Sequence, residues 1–286
     1  MSVRIPPRPA LLLALQNEVA KETPHLKRLT DIIARDPALA GSFIGIANSP
    51  FFYRRQEIRT VHDAVNMLGI DQLACVLAGL VARQIIGFGG KLLPRFWDVS
   101  EKRAKGLSFV TRELDIAPPA LAYNLGLFCD IGIPLMMSRF PNYRETLALA
   151  NRFSDARFLH VENERHKTNH TEVGALLSAT WGISPEVTAA IRFHHVPLDT
   201  IGEAARTRHL IACNMLVEKA IDEFRGERDR GHVSQDEHAA AESLGLSAAD
   251  LDDLCDRLVL RFAGMAEWNS RGDTVRPSAR REYFAS

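Results

Sequence analysis

Four side chains stand out as candidates for chemistry: Asp130, His170 and the adjacent pair His194-His195. Imidazole nitrogens and carboxylate oxygens are common ligands of divalent ions, and histidine also moves protons near neutral pH. Asp130 follows the apolar run 125–129 and precedes Ile131-Gly132. A carboxylate in that setting must be paired, hydrogen-bonded, at an edge or on a metal. Bonding to nearby backbone N–H groups and metal ligation both meet that requirement. His170 sits in the first turn of a helix that Asn169 and Glu172 mark as capped. His194 and His195 close another helix, where the dipole tolerates cations. On a continuous helix adjacent rings point about 100° apart. The pair therefore reads as one ligand and one support, as ligands to two ions, or as a cap or structural pair with no ion. The other histidines (25, 62, 160, 166, 209, 232 and 238) read as surface or helix-end residues.

Other chemistries find little support. Cys75, Cys129, Cys213 and Cys255 are far apart, form no C-x-x-C motif, and three of them lie in apolar stretches. They read as reduced, buried small hydrophobes in a reducing compartment. There is no phosphate-cradling Walker loop, no G-x-S-x-G elbow and no H-E-x-x-H helix; the glycines at 87, 89 and 90 read as a break. Arg54-Arg55 beside Phe51-Phe52-Tyr53 reads as a solvated loop, and no tryptophan has a basic cluster beside it. Lys plus Arg (35) equals Asp plus Glu (35), so overall charge steers the chain to neither nucleic acid nor an anionic membrane. No apolar run reads as a signal sequence or a bilayer span, which implies a cytoplasmic protein.

The elements that must position these residues are helices. Asp36-Pro37, Thr60 with Asp63, Asp71, Asn169 with Glu172, Ser184-Pro185 and Ser247 with Asp250 are helix starts. Asn48-Ser49-Pro50 and Gly69 are stops. Between them apolar residues recur at three- and four-residue steps, as at Leu39, Phe43 and Ile46. The stretch 73–86, apolar nearly all round, predicts a central buried helix. Further helices are expected over about 95–114, 120–129, 145–151, 156–164 and 203–224. Residues 225–238 read as a linker, a last helix runs to about 263, and 269–286 read as a polar tail. No long run alternates with period two. The fold class is all-α, with roughly a dozen helices: an N-terminal helical subdomain (1–92), a second helical subdomain (93–225), and a linker, last helix and tail (226–286).

Three motifs in order carry a family resemblance. They are Asp36-Pro37-Ala38-Leu39-Ala40, then Ala47-Asn48-Ser49-Pro50-Phe51-Phe52-Tyr53, then Ala64-Val65-Asn66-Met67-Leu68-Gly69. Gly126-Leu127-Phe128-Cys129-Asp130-Ile131-Gly132, the segment from His170 to Trp181, and Ile191 with His194-His195 continue the pattern. Over roughly residues 10–220 the chain resembles the HDOD (HD-related output domain) family, relatives of HD and HD-GYP phosphohydrolases. The resemblance implies an HD-like helical subdomain after residue 92. It also implies where the enzymes' metal ligands would fall. Asp130, His170, His194 and His195 keep ligand types. Val99 and its neighbours stand where a first His is expected, Cys129 replaces the dyad His, Ile133 replaces a Lys, and Asn214 replaces a distal Asp.

Hydrolysis of a phosphodiester at such a site needs a metal-bound hydroxide and usually two bridged ions. The lost imidazole and carboxylate remove the groups that would hold them, so the four remaining ligands read as a vestigial metal site and no resident cofactor is expected. By resemblance the chain is a non-catalytic bacterial signal-transduction module, associated with two-component systems, that acts through contact with signalling proteins or a ligand. No receiver-like pattern precedes residue 10, which implies a stand-alone output or adaptor. The alternatives are a metal-dependent phosphohydrolase with an eroded site, and a nucleotide or cyclic-dinucleotide receptor that does not cleave. Neither a membrane nor nucleic acid is expected as partner.

Overall fold

The computed structural model describes residues 3–48, 57–86, 93–153, 155–227 and 233–274. Fifteen α-helices occupy them, with no strand among the described residues. In chain order they are α1 (Ala10–Val19), α2 (Leu26–Ala34), α3 (Pro37–Ala47), α4 (Val61–Leu68), α5 (Ile70–Ile85), α6 (Pro94–Glu113), α7 (Pro119–Phe128), α8 (Gly132–Arg139), α9 (Tyr143–Ala150), α10 (Asp155–His166), α11 (His170–Thr180), α12 (Pro185–Phe193), α13 (Ala205–Phe224), α14 (Gln235–Ser243) and α15 (Ala248–Thr274). The expected all-α class is the observed one.

Local chemistry sets many of the boundaries. The Asp36 carboxylate accepts from the Ala38 and Leu39 amides at 2.9 and 3.0 Å with Pro37 at the first position of α3. Such a cap is worth about 1 kcal/mol. Thr60, Asn169, Ser184 and Ser247 cap α4, α11, α12 and α15 in the same way. Helix α5 departs from expectation. It begins at Ile70, before Asp71, and Gly69 at φ 81° joins it to α4, a backbone region open to glycine. The Arg54-Arg55 pair, the aromatic run before it and the glycine break at 87–90 lie outside the described residues.

Four expectations need correcting. Residues 225–238 are not simply a linker: Ser234 and Glu237 form a reciprocal capping box that starts α14. Helix α15 continues to Thr274, into the stretch read as a polar tail. A helix not expected from the sequence, α8, opens at Gly132 with Pro134 in its first turn, where a proline blocks no helical hydrogen bond. Finally, Pro119–Arg139 is apolar enough, over 21 residues, to cross a bilayer. Here it forms α7 and α8 around a turn, and 72% of its most apolar window is buried inside the fold.

Helices α1–α5 pack on one another, and α5 lies against α7. Around α7 gather α6, α12 and α13, while α8 packs on α11 and α9 on α10. One continuous core runs from Leu12 to Met265. Helix α6 is deeply sunk over most of its length, although its sequence is polar. From Ser100 to Thr111 every residue except the partly covered Glu101 is buried. Its Lys102 and Lys105 pair one turn back with Asp98 and Glu101. Gly126 permits the close approach of α7: a Cβ there would lie 2.3 Å from the Ala104 backbone. That contact sets the turn after α7 beside Arg103.

Candidate functional site

Three elements deliver one side chain or pair each to a single point. Asp130 stands in the turn between α7 and α8. His170 is the first residue of α11, fixed by the Asn169 cap. Gly132 brings these two together: a Cβ on it would fall 1.9 Å from the His170 carbonyl oxygen. His194 caps the end of α12 and His195 follows in the turn. Because the chain leaves the helix at His194, the 100° separation of a continuous helix does not apply. The two rings lie 4.3 Å apart, tilted by 40°. One ligand atom from each of Asp130, His170, His194 and His195 lies within 4.8 Å of the others.

The rings are held from behind. His170 Nδ1 donates to Glu162 Oε2 at 2.8 Å, and the His170 amide reaches the same oxygen at 3.2 Å. The other Glu162 oxygen accepts from the Tyr143 hydroxyl. His194 Nδ1 donates to the Ile191 carbonyl at 2.8 Å. His195 stacks on Phe158 at 5.2 Å and 12°. With Nδ1 donating, a neutral imidazole presents Nε2 as an electron pair. Both Nε2 atoms point to Asp130 Oδ1, at 3.6 Å from His170 and 3.4 Å from His194, and neither has a hydrogen-bond partner. Two buried lone pairs and a carboxylate converging on one point call for a cation between them, either a proton or a metal ion.

Asp130 has a second neighbour that composition and spacing did not point to. Arg103 of α6, 6% exposed, donates through one terminal nitrogen to Asp130 Oδ2 at 2.7 Å and pairs through the other with Glu218 of α13 at 2.9 Å. Arg103 lies one turn after Val99, and Glu218 one turn after Asn214. The two helices that lost expected ligands thus each supply an ion-pair partner instead. Burial works to raise the Asp130 pKa. The Arg103 guanidinium, then His194 and His170, overcome this and hold it well below the usual carboxylate range. Burial pulls His194 down, yet Cys129 and the Asp130 carboxylate outweigh it and raise the imidazolium well above its ordinary value. Glu162 is lowered: burial opposes ionisation and the His170 hydrogen bond wins.

The remaining replaced positions supply no ligand. Val99 and Ile133 pack against the core. Cys129 is fully buried, and burial pushes its thiol up despite His194 and Arg103 nearby. Asn214 is fully buried with neither amide atom hydrogen-bonded. His166, read as a surface or helix-end residue, ends α10 but is buried, bonded to Thr146 at 2.9 Å and packed on Phe140.

The donor set fits one ion. His170, His194, His195 and Asp130 would hold it, with Glu162 and the Ile191 carbonyl orienting two of the imidazoles. Three nitrogens and one oxygen suit zinc, iron or nickel better than magnesium. Among the described residues no second ligand cluster stands beside it: the positions where the resemblance expects further ligands hold Val99, the Cys129 thiol and Asn214, and a guanidinium sits on Asp130 Oδ2.

The family model of the HDOD domain matches residues 5–197, more than half the chain. The chain belongs to the HDOD family. This HDOD protein is similar in fold to the crystal structure of a candidate phosphohydrolase from Shewanella amazonensis SB2B, with TM-score 0.71, 20% identity, and 92% of this chain and 94% of that one covered. A candidate signal transduction protein from Marinobacter aquaeolei VT8 gives TM-score 0.68 at 21% identity over 93% of this chain and 59% of that one. At these identities the likeness speaks for the fold. The uncharacterized protein YuxH of Bacillus subtilis (strain 168) is 27% identical over 114 residues, 40% of this chain and 28% of that relative's length.

Proposed function

We propose that this HDOD protein is a non-catalytic signal-transduction module that works by binding, in the reducing cytoplasm of a bacterium, with signalling proteins as its partners. The observation that carries this reading is the Arg103 bridge between Asp130 and Glu218. In a two-ion phosphodiesterase the carboxylate that bridges the ions must offer both oxygens, and a metal-bound hydroxide must sit between the ions. Here the guanidinium takes Asp130 Oδ2 and brings a permanent positive charge to the place of a second ion. What is left is a carboxylate and three imidazoles able to hold one ion or protons, which stiffens the junction of α7, α8, α11 and α12 without generating a nucleophile. The name of the Marinobacter fold relative agrees with a signalling role, and that of the Shewanella relative states the competing one.

Hydrolysis of bis(p-nitrophenyl) phosphate and of cyclic dinucleotides, with manganese, zinc or iron(II) supplied, tests the reading. We expect no turnover above the metal-only blank. Turnover that Asp130→Ala abolishes would overturn it in favour of a working phosphohydrolase.

A further inference from the structure

The outer side of the corner that presents His170 carries a second feature. A groove of about 520 Å³ opens between the N-terminal segment and the link from α10 to α11. That volume lies in the range of small-molecule sites. The lining carries three cations: Arg165 from the last turn of α10, Lys167 from the link and Arg192 from α12. Glu172, 3.5 Å from Arg192, is the one acidic group among the lining residues, so positive charge is in excess. Val3, Phe140 and Leu176 add apolar lining, and Leu176 is 52% exposed.

The walls are built rather than incidental. The N-terminal segment is fastened by the Trp181 indole N–H to the Pro6 carbonyl at 3.0 Å and by Arg8 to the Thr180 carbonyl at 3.2 Å, which sets Val3 over the groove. Lys167 holds φ 60°, a conformation that costs a lysine energy and sets its backbone across the link. The groove also shares its parts with the histidine cluster. Lys167 is three residues before His170, Arg192 is two before His194, and the lining residue His166 lies one turn after Glu162, the carboxylate that orients His170. A molecule seated there touches the same link whose far end is the site.

We infer that this groove is the input site of the module: it takes a small amphipathic anion, with a carboxylate, sulfonate or phosphate head on Arg165 and Lys167 and an apolar body against Phe140 and Leu176. Charge complementarity selects the head, and the mixed lining selects against purely polar anions such as free phosphate. The inference deepens the binding reading above, but its test is independent of any turnover assay.

The probe is 1-anilinonaphthalene-8-sulfonate, titrated into the full chain well below its unfolding temperature. We expect saturable binding of one equivalent, with energy transfer from Trp181. Competition by decanoate against AMP then tells an aliphatic body from a planar one. Arg165 and Lys167 are exposed, so the double variant R165E/K167E folds as the parent does; it is expected to bind the probe at least tenfold more weakly, and Leu176→Asp to weaken it as well. Absence of saturable binding, or equal affinity in R165E/K167E, overturns the inference.

Discussion

Replacing Arg103 by methionine probes the charge balance of the site. The side chain keeps an unbranched apolar stem and loses the guanidinium and its charge. The guanidinium is 6% exposed and faces Asp130 (19% exposed) and Glu218 (35% exposed). Removing one member of a fully buried ion pair costs roughly 3–5 kcal/mol, since the partner is left buried and uncompensated. Water reaches part of both carboxylates, which places this case at the lower end, about 3 kcal/mol. For a chain of this size that is a fall in Tm of roughly 6–12 °C. The same change leaves Asp130 Oδ2 without its counter-charge, so a divalent cation should gain affinity. Cobalt(II) at about a hundredfold its dissociation constant would return roughly 2.7 kcal/mol. The assay is thermal unfolding of parent, R103M and R103K, each with and without cobalt(II). R103M should melt lower and respond more to the metal than the parent; R103K, which keeps the charge and loses the fork, should fall between. An R103M variant that melts within about 2 °C of the parent, with an equal cobalt response, would refute the idea that Arg103 supplies the balancing charge.

Two further substitutions test how the cluster is assembled. Gly132→Ala drives a methyl group into the His170 carbonyl, a backbone atom that moves only with α11; the expected loss is about 1–3 kcal/mol in chemical denaturation, with metal affinity falling alongside. Glu162→Gln keeps the shape and removes the charge behind His170, so cobalt(II) titration followed by its visible spectrum should show affinity reduced roughly 10–100-fold with far-ultraviolet dichroism unchanged.

Much of this architecture is legible in the sequence because it rests on local chemistry. The caps at Asp36, Thr60, Asn169, Ser184 and Ser247 are side chains placed three residues before the amides they accept from, and each marks a real helix start. The four ligand-type residues were likewise visible, Asp130 by its apolar setting and the histidines by their helix ends. What pattern reading missed is decided by tertiary packing. Helix α6 is expected only as a helix, and its polar sequence does not show its burial, which its lysines permit by folding back on acids four residues earlier and which Ala104 permits by admitting Gly126 of α7. The part played by Arg103 was hidden for that reason. Its spacing to Asp130 is 27 residues, and only the close packing at Gly126 brings the two together. A signal was present nonetheless: a lone arginine one turn after Val99 and a lone glutamate one turn after Asn214. The 100° spacing does not carry over to His194-His195 because α12 ends at Phe193. Helix α14 escaped notice because its sequence is charged, although Ser234 and Glu237 have capping-box spacing.

The central claim is that the site is complete with a single cation, and an ion count addresses it most directly. Protein refolded without metal and dialysed against excess cobalt(II) or zinc, then analysed by inductively coupled plasma mass spectrometry, should hold no more than one ion per chain, and Asp130→Ala or His170→Ala should lose it. Two tightly held ions per chain, both lost on substituting Asp130, would contradict the account.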